Sequence, residues 1–329
     1  MPILGAIIGA TGSGKTELAV LLAQKTGAEI ICMDSRQVYR GFRVGTAQPG
    51  AGERDAVPHH LIDFLPPEQQ YNAARFASDV KDLLAQKPDA KFILAGGTGL
   101  YLQALCQGLN PLPPVNPELR EKLRRHYENR EQMELYSDAL KANPGIEGKI
   151  MQGDTQRLLR VLELKGVAKA ENRVGGIGPI PSVWINFPRD VLYKRINERV
   201  VKMLKNGWVE EVIELSKSVP PNAPAWQSLG YLELKNALEK NRDPFSIAEE
   251  VALKTRHYAK RQVTWFKNKE KPVYILNSQF PVNDSFLVSL WGKLVGGHHP
   301  PLVGFGCGVP ECLEDRFTQA LGNKGERFV

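Results

Sequence analysis

Apolar positions in the first third of the chain follow two patterns, short continuous runs and helically spaced stripes. Continuous runs at residues 3–8, 29–33 and 91–95 predict buried strands, because parallel strands that are covered on both faces are apolar throughout. Residues 17–22 and 71–85 carry apolar side chains at helical spacing and predict amphipathic helices. This alternation predicts an α/β fold, a parallel sheet with helices on both faces.

The middle of the chain departs from this alternation. Prolines crowd residues 111–117, after which residues 118–129, 131–141 and 154–165 predict charged helices, the last of them capped by Asp154. We interpret this stretch as a helical insertion into the α/β domain.

The last third predicts a return to the core and then a tail. Residues 182–187 form an apolar strand-like run, and residues 244–267 predict a long basic helix. Beyond it, only residues 273–276 and 285–294 show strand and helix patterns. We divide the chain into a first core part (1–112), the helical insertion (113–173), a second core part (174–270) and a largely flexible tail (271–329).

A glycine-rich turn joins the first strand to the first helix and matches G-x-x-x-x-G-K-T in full. Glycines permit backbone angles that turn several N–H groups toward one anion, and the helix adds its positive end. A lysine charge and a threonine hydroxyl suited to Mg²⁺ complete a phosphate-binding loop. Taken alone the loop favours a nucleoside triphosphate site, although it does not identify the phosphorylated ligand. Its residues are Gly9, Ala10, Thr11, Gly12, Ser13, Gly14, Lys15 and Thr16.

Two further segments follow predicted strands. Asp34 ends the second strand, where residues of a doubly wound sheet line the ligand crevice. A carboxylate at such a position is either a site residue or a turn and capping residue, and its position alone leaves both open. A second glycine turn, residues 96–99, follows the third strand and is expected at the same crevice.

Charge is unevenly distributed. The net charge is +7 and the isoelectric point is near 9.1, which permits a nucleic-acid partner. Residues 254–271 hold seven Lys and Arg against Glu270 alone. Tyr258, Trp265 and Phe266 lie among these cations, so the helix predicts RNA binding with the rings inward and the cations outward. An arginine pair in the insertion, Arg157 and Arg160, reads equally well as a solvated helix face.

Other classes are disfavoured. No apolar run approaches the roughly 20 residues of a membrane span, and the N-terminus lacks a secretory leader pattern. Four scattered cysteines favour a reduced, cytoplasmic protein without disulfides. The neighbours His59 and His60, and the C-x₄-C pair Cys307 and Cys312, are poorly spaced for a metal. We also expect a monomer.

Several motifs occur together in one order, and the ordered set resembles the tRNA dimethylallyltransferase (isopentenyl-tRNA transferase) family from about residue 3 to 268. They are G-A-T-G-S-G-K-T (9–16), D-S-R-Q-V-Y-R-G (34–41), G-T-A-Q-P (45–49), V-P-H-H-L-I-D (57–63), G-G-T-G-L-Y (96–101), D-T-Q-R-L-L-R-V-L-E (154–163), L-G-Y-L-E (229–233) and T-R-H-Y-A-K-R-Q-V-T-W-F (255–266).

The resemblance implies an enzyme that transfers a dimethylallyl group from dimethylallyl diphosphate to N6 of the adenosine 3′ of the anticodon. It implies a phosphate-loop α/β domain with a helical insertion that clasps the anticodon stem-loop. Asp34 then serves as general base, while the loop amides, Lys15 and a Thr16-bound Mg²⁺ stabilise the departing diphosphate. Positions implied to contact tRNA are Asp34, Ser35, Arg36, Gln37, Thr98, Arg120, Gln156, Arg157, Leu158, Leu159, Arg160, Arg256, Lys260, Arg261 and Gln262.

Two departures from the family pattern concern the donor site. Gln48 stands where the family usually has lysine, and Gln227 where it usually has a diphosphate-contacting arginine. Three alternatives therefore stay open: an isopentenyltransferase acting on free adenine nucleotides, a phosphate-loop kinase of small metabolites, and a catalytically inactive RNA-binding paralogue.

Overall fold

The structure is a computed structural model that describes residues 2–110, 112–113, 116–166, 173–277 and 284–295. The strands are β1 (Ile3–Gly9), β2 (Glu29–Met33), β3 (His59–His60), β4 (Phe92–Gly96), β5 (Ser182–Ile185) and β6 (Tyr274–Leu276). The helices are α1 (Lys15–Thr26), α2 (Ala51–Ala56), α3 (Ala73–Gln86), α4 (Gly99–Gln107), α5 (Pro117–Tyr127), α6 (Gln132–Ala142), α7 (Thr155–Glu163), α8 (Arg189–Lys205), α9 (Trp208–Ser218), α10 (Tyr231–Glu239), α11 (Ala248–Lys269) and α12 (Asp284–Val295). Short 3₁₀ helices span Pro144–Ile146, Pro224–Gln227 and Pro244–Ile247.

One parallel sheet organises the larger of two compact units, with strand order β3-β2-β4-β1-β5-β6. Central β1 pairs with β4 on one side and β5 on the other, and it is buried except at its margins. Since all strands run the same way, the loops that follow β1, β2 and β4 leave one edge of the sheet. The predicted α/β class is confirmed, and the sheet brings the phosphate loop, Asp34 and the second glycine turn to that edge.

The end of the described chain packs onto this sheet. β6 extends it beside β5, and α12 buries Leu290, Trp291 and Leu294. A Cβ on Gly5 of β1 would lie 2.7 Å from Leu294 Cδ2, so the helix approaches the strand closely. The strand and helix predicted within the tail are thus present. Residues 296–329, with Cys307 and Cys312, lie outside the described residues.

The second compact unit spans Gln107–Ile177. Helices α5, α6 and α7 bury Leu135, Ala139 and Leu158 in a core of their own. Asp154 caps α7 as predicted, accepting a hydrogen bond from the Arg157 amide at 3.2 Å. The unit begins and ends beyond the predicted 113–173 because Leu109 and Val174 form a two-way backbone bridge.

Candidate active site at the phosphate loop

The phosphate loop between β1 and α1 presents a row of unused amides. Gly12 and Gly14 adopt positive φ angles of 82° and 81°, as the motif predicts, which turns the backbone at these points. Gly9 serves differently, because a Cβ there would lie 2.6 Å from the inward-facing Ser13 Oγ. The amides of Thr11 and Ser13 are bonded within the protein. The backbone amides that donate no hydrogen bond within the described residues are those of Gly12, Gly14, Lys15 and Thr16.

Lys15 lies at this row of amides. Its Nζ is 3.4 Å from the Ala10 carbonyl oxygen. Desolvation lowers the pKa of Lys15 to about 8, although the nearby Asp34 carboxylate opposes the shift. An anion bound to the loop would stabilise the protonated form, so the site favours a negatively charged ligand.

Asp34 satisfies both interpretations that its position left open. Its Oδ1 accepts hydrogen bonds from the amides of Arg36 at 2.8 Å and Gln37 at 3.4 Å, as a turn aspartate does. Its Oδ2 has no hydrogen-bond partner in the described part of the chain. Asp34 lines a small pocket with Lys15 and Thr16 and also a larger cavity. One oxygen therefore fixes the carboxylate, and the other is available to a ligand.

Two arginines that the sequence interpretation missed flank the loop from α8. The Arg199 Nη1 donates to Thr11 Oγ1 at 3.3 Å, and burial lowers the pKa of its guanidinium. Arg195 Nη2 lies 3.3 Å from the position of a Cβ on Gly14, and its guanidinium stacks over Phe187. The i, i+4 spacing of the two arginines beside the buried Ile196 was the signal available in the sequence.

A cavity of about 290 Å³ opens beside the loop. Thr11, Asp34 and Arg199 lie on its wall together with apolar side chains, so the space suits a ligand with an anionic end and a short hydrocarbon end. Its apolar lining comprises Ile196, Val200, Met203, Trp208, Leu229 and Val251.

Comparison with known proteins follows this geometry. A family model described as IPP transferase matches residues 37–269. The chain belongs to the IPP transferase family. A tRNA dimethylallyltransferase of Stenotrophomonas maltophilia (strain K279a) is 37% identical over 288 residues, covering 82% of this chain and 90% of the relative. One from Chloroherpeton thalassium is 40% identical over 283 residues, covering 80% and 86%.

Solved structures agree. The full-length tRNA isopentenylpyrophosphate transferase of Bacillus halodurans superposes with a TM-score of 0.63 at 30% identity, covering 90% of this chain and 97% of that one. A eukaryotic dimethylallyltransferase described as acting on tRNA gives a TM-score of 0.67 at 26% identity, covering 89% and 76%.

The IPP transferase departures occupy different settings. The Gln48 amide donates to the Gln37 carbonyl at 2.8 Å, and its oxygen accepts from Arg54 Nη2. A guanidinium therefore lies beside the position where the family usually has lysine. Gln227 is exposed and lines the cavity, as does Arg199.

The loop on the cavity wall is held by one buried carboxylate. Glu211 of α9 accepts from the amides of Arg43 at 2.9 Å and Val44 at 2.7 Å, and from the Tyr231 hydroxyl at 2.6 Å. Burial and the Glu211 charge raise the pKa of Tyr231, so its hydroxyl keeps the proton that it donates. Glu211 thus fixes residues 43–46.

We expect Glu211→Gln to lower the free energy of unfolding by about 1–3 kcal/mol, because an amide nitrogen would face backbone donors that then lack an acceptor. Chemical denaturation measures this. Glu210→Gln, at the exposed neighbouring position, is the matched control and should leave stability unchanged. Equal stability of both variants would contradict the anchoring role.

On α11, the basic stretch is partly neutralised. Arg256 pairs with Glu249 at 2.7 Å, and Lys254 with Glu233 and Glu250. Lys260 and Arg261 are exposed, and Arg261 lines the cavity. Phe266 is fully buried, while Tyr258 and Trp265 are half-buried, so the rings do face inward.

The structure corrects the expected tRNA contact for one α11 residue. Gln262 is only 5% exposed, with its amide bonded inside the protein. At the second glycine turn, Thr98 Oγ1 accepts from the Ser35 amide at 3.3 Å. Arg36 lines the cavity, and Gln37 donates to the carbonyls of residues 46 and 47.

In the Gln107–Ile177 unit, the expected contacts divide by burial. Leu158 and Leu159 lie in its core, so the structure corrects the expectation that their side chains contact tRNA. Gln156 and Arg157 are exposed. Arg120 and Arg160 both pair with Glu163, at 2.5 and 3.0 Å, and these hydrogen bonds overcome desolvation to lower the pKa of Glu163.

The histidine pair is structural. His60 Nε2 bonds to Glu29 Oε2, and His59 Nδ1 lies 2.8 Å from the Val57 carbonyl oxygen. Within the described residues, no group of three or more His, Cys, Asp or Glu is arranged for a metal, and no helix is long and apolar enough to cross a membrane. Thr16, beside the unpaired Asp34 oxygen and the free amides, fits a Mg²⁺ held chiefly by phosphate oxygens.

Proposed function

We propose that this protein transfers a dimethylallyl group from dimethylallyl diphosphate to N6 of the adenosine 3′ of the anticodon in tRNA. One observation carries the proposal: unused loop amides, two cations, an unpaired carboxylate oxygen and an apolar wall face connected space. Relatives 37% and 40% identical are named tRNA dimethylallyltransferase.

The diphosphate is the leaving group. As the N6 lone pair bonds to the first prenyl carbon, the carbon–oxygen bond breaks and its electron pair leaves with the diphosphate. The amides of residues 12 and 14–16, with the Lys15 ammonium and the Arg199 guanidinium, stabilise that charge in a partly desolvated site. When bound through Thr16, Mg²⁺ would neutralise further charge on the diphosphate.

The acceptor amine loses its proton to Asp34. The Oδ2 atom is available while Oδ1 stays bonded to two backbone amides, so the carboxylate is already oriented as a base. An adenine stacked in an RNA loop exposes too little of N6 for this geometry. We therefore propose that the base leaves its stack and enters the cavity.

Exposed cations supply RNA affinity. Lys260 and Arg261 on α11 and Arg157 in the Gln107–Ile177 unit are exposed, and the net charge of +7 has the sign that phosphates require. We propose that they bind the anticodon stem-loop.

The test is incubation of unmodified tRNA with dimethylallyl diphosphate, followed by nuclease digestion and mass spectrometry of the nucleosides. We expect N6-dimethylallyladenosine at the position 3′ of the anticodon. Preferred transfer to AMP would favour the free-nucleotide enzyme, and binding of tRNA without transfer would favour the inactive paralogue. Phosphate transfer from ATP would favour the kinase.

We expect Arg199→Gln to raise the KM for the donor and lower kcat, together by about tenfold to a hundredfold, because one desolvated cation is lost from the leaving group. Steady-state kinetics with varied dimethylallyl diphosphate measure both. The control Lys202→Ala removes an exposed cation of the same helix and should have no such effect. An unchanged donor KM and kcat in Arg199→Gln would contradict this role.

A further inference from the structure

A single buried amide joins the phosphate loop to the second glycine turn. Gln262 Oε1 accepts a hydrogen bond from the Thr11 amide at 2.9 Å. Its Nε2 donates to the Gly97 carbonyl oxygen, also at 2.9 Å. The side chain thus spans two loops that follow neighbouring strands β1 and β4, reaching both from α11.

The fit around this amide is tight. A Cβ on Gly97 would lie 2.2 Å from Gln262 Nε2, a distance that no packing permits. One turn further along α11, Trp265 lies equally close to Gly99, at 2.2 Å from its Cβ position. Both glycines of the turn therefore allow α11 to dock directly on it.

Each end of the bridge continues into the site. At one end, Thr11 also accepts a hydrogen bond from Arg199, so the position of Thr11 affects that cation. At the other end, Gly97 precedes Thr98, whose hydroxyl accepts from the amide of Ser35, next to Asp34. The leaving-group side and the base side of the site are consequently tied through one side chain.

We propose that Gln262 is a positioning residue, which fixes the phosphate loop and the glycine turn relative to each other and makes no contact with RNA. The inference rests on the proposed function for its catalytic consequence. Its physical basis is independent: the amide is 5% exposed and both of its polar atoms are already bonded.

Glutamine is required because the bridge needs one acceptor and one donor on the same planar group. Glutamate keeps the acceptor for Thr11 but turns a carboxylate oxygen toward the Gly97 carbonyl. Methionine keeps the length and removes both hydrogen bonds. These two variants disturb the bridge differently while preserving side-chain size.

The experiment measures donor kinetics and tRNA affinity separately for Gln262→Glu and Gln262→Met. We expect kcat/KM for dimethylallyl diphosphate to fall by about tenfold to a hundredfold, since small displacements of reacting groups are costly, with the Kd for tRNA unchanged. The control Arg261→Gln changes an exposed neighbour and should weaken tRNA binding. The control Asn268→Ala, exposed on the same helix, should change neither.

A weaker Kd for tRNA with unchanged donor kinetics would overturn the proposal, as would no change in either quantity. Calorimetric titration with inorganic diphosphate provides a readout that does not need turnover. We expect the folded variants, verified by circular dichroism, to bind diphosphate more weakly than the wild type. Unchanged diphosphate affinity would overturn the positioning role, whereas a wild type that binds diphosphate but never modifies tRNA would instead refute the proposed function.

Discussion

Replacing Asp34 with asparagine should lower kcat for prenyl transfer by about a thousandfold, within the range that a general base contributes. The asparagine oxygen can still accept from the amides of Arg36 and Gln37, so the turn that holds the side chain is retained. What is lost is the basic oxygen that receives the N6 proton. Single-turnover measurement with saturating donor and tRNA isolates this step.

Two observations accompany the Asp34→Asn result. The Kd for tRNA should stay unchanged, because the substitution alters the proton acceptor and keeps the turn. Asp89→Asn, an exposed substitution of the same kind, should retain full activity. A kcat in Asp34→Asn close to that of the wild type would exclude Asp34 as the base.

Replacing Lys15 with methionine should lower kcat/KM for the donor by about 10³-fold or more, because a full charge at the leaving group is lost from a desolvated site. The same substitution should raise the thermal unfolding midpoint of the free protein, since it removes a desolvated ammonium. Steady-state kinetics and calorimetry measure the two effects. Lys91→Met at an exposed position should leave both quantities unchanged, and a Lys15→Met protein that binds donor normally would contradict the account.

The lowered pKa of Lys15 also predicts a pH dependence. In the free protein the ammonium loses its proton as the pH rises through about 8, so kcat/KM for the donor should fall above that value. Bound diphosphate favours the charged form, and donor binding above this pH should therefore take up a proton. Titration calorimetry in two buffers of different ionisation enthalpy detects the uptake, and the signal should be absent from Lys15→Met.

Much of the α/β core was predictable, because continuous apolar runs mark strands covered on both faces. The runs at β1, β2, β4 and β5 were identified with small differences at their ends. The two-residue β3 was not, since His59 and His60 carry no strand pattern and pair through their backbone. The limits of the insertion depend on a bridge between Leu109 and Val174, a long-range contact that no local pattern reveals.

The site was predictable where chemistry depends on local sequence. The loop glycines and Asp34 belong to this class, since a turn after a strand places them directly. Arg195 and Arg199 reach the loop only through the packing of α8, so spacing alone did not assign them. Leu158, Leu159 and Gln262 illustrate the reverse, because a motif position does not state whether its side chain is exposed.

The central claim is that the phosphate loop holds a diphosphate that departs intact as the tRNA is prenylated. Its most direct test quantifies inorganic diphosphate and prenylated tRNA in the same reaction with dimethylallyl diphosphate as donor. The account predicts equal molar amounts of the two products, with no requirement for ATP. Unmodified tRNA together with ATP-dependent release of inorganic phosphate would contradict it.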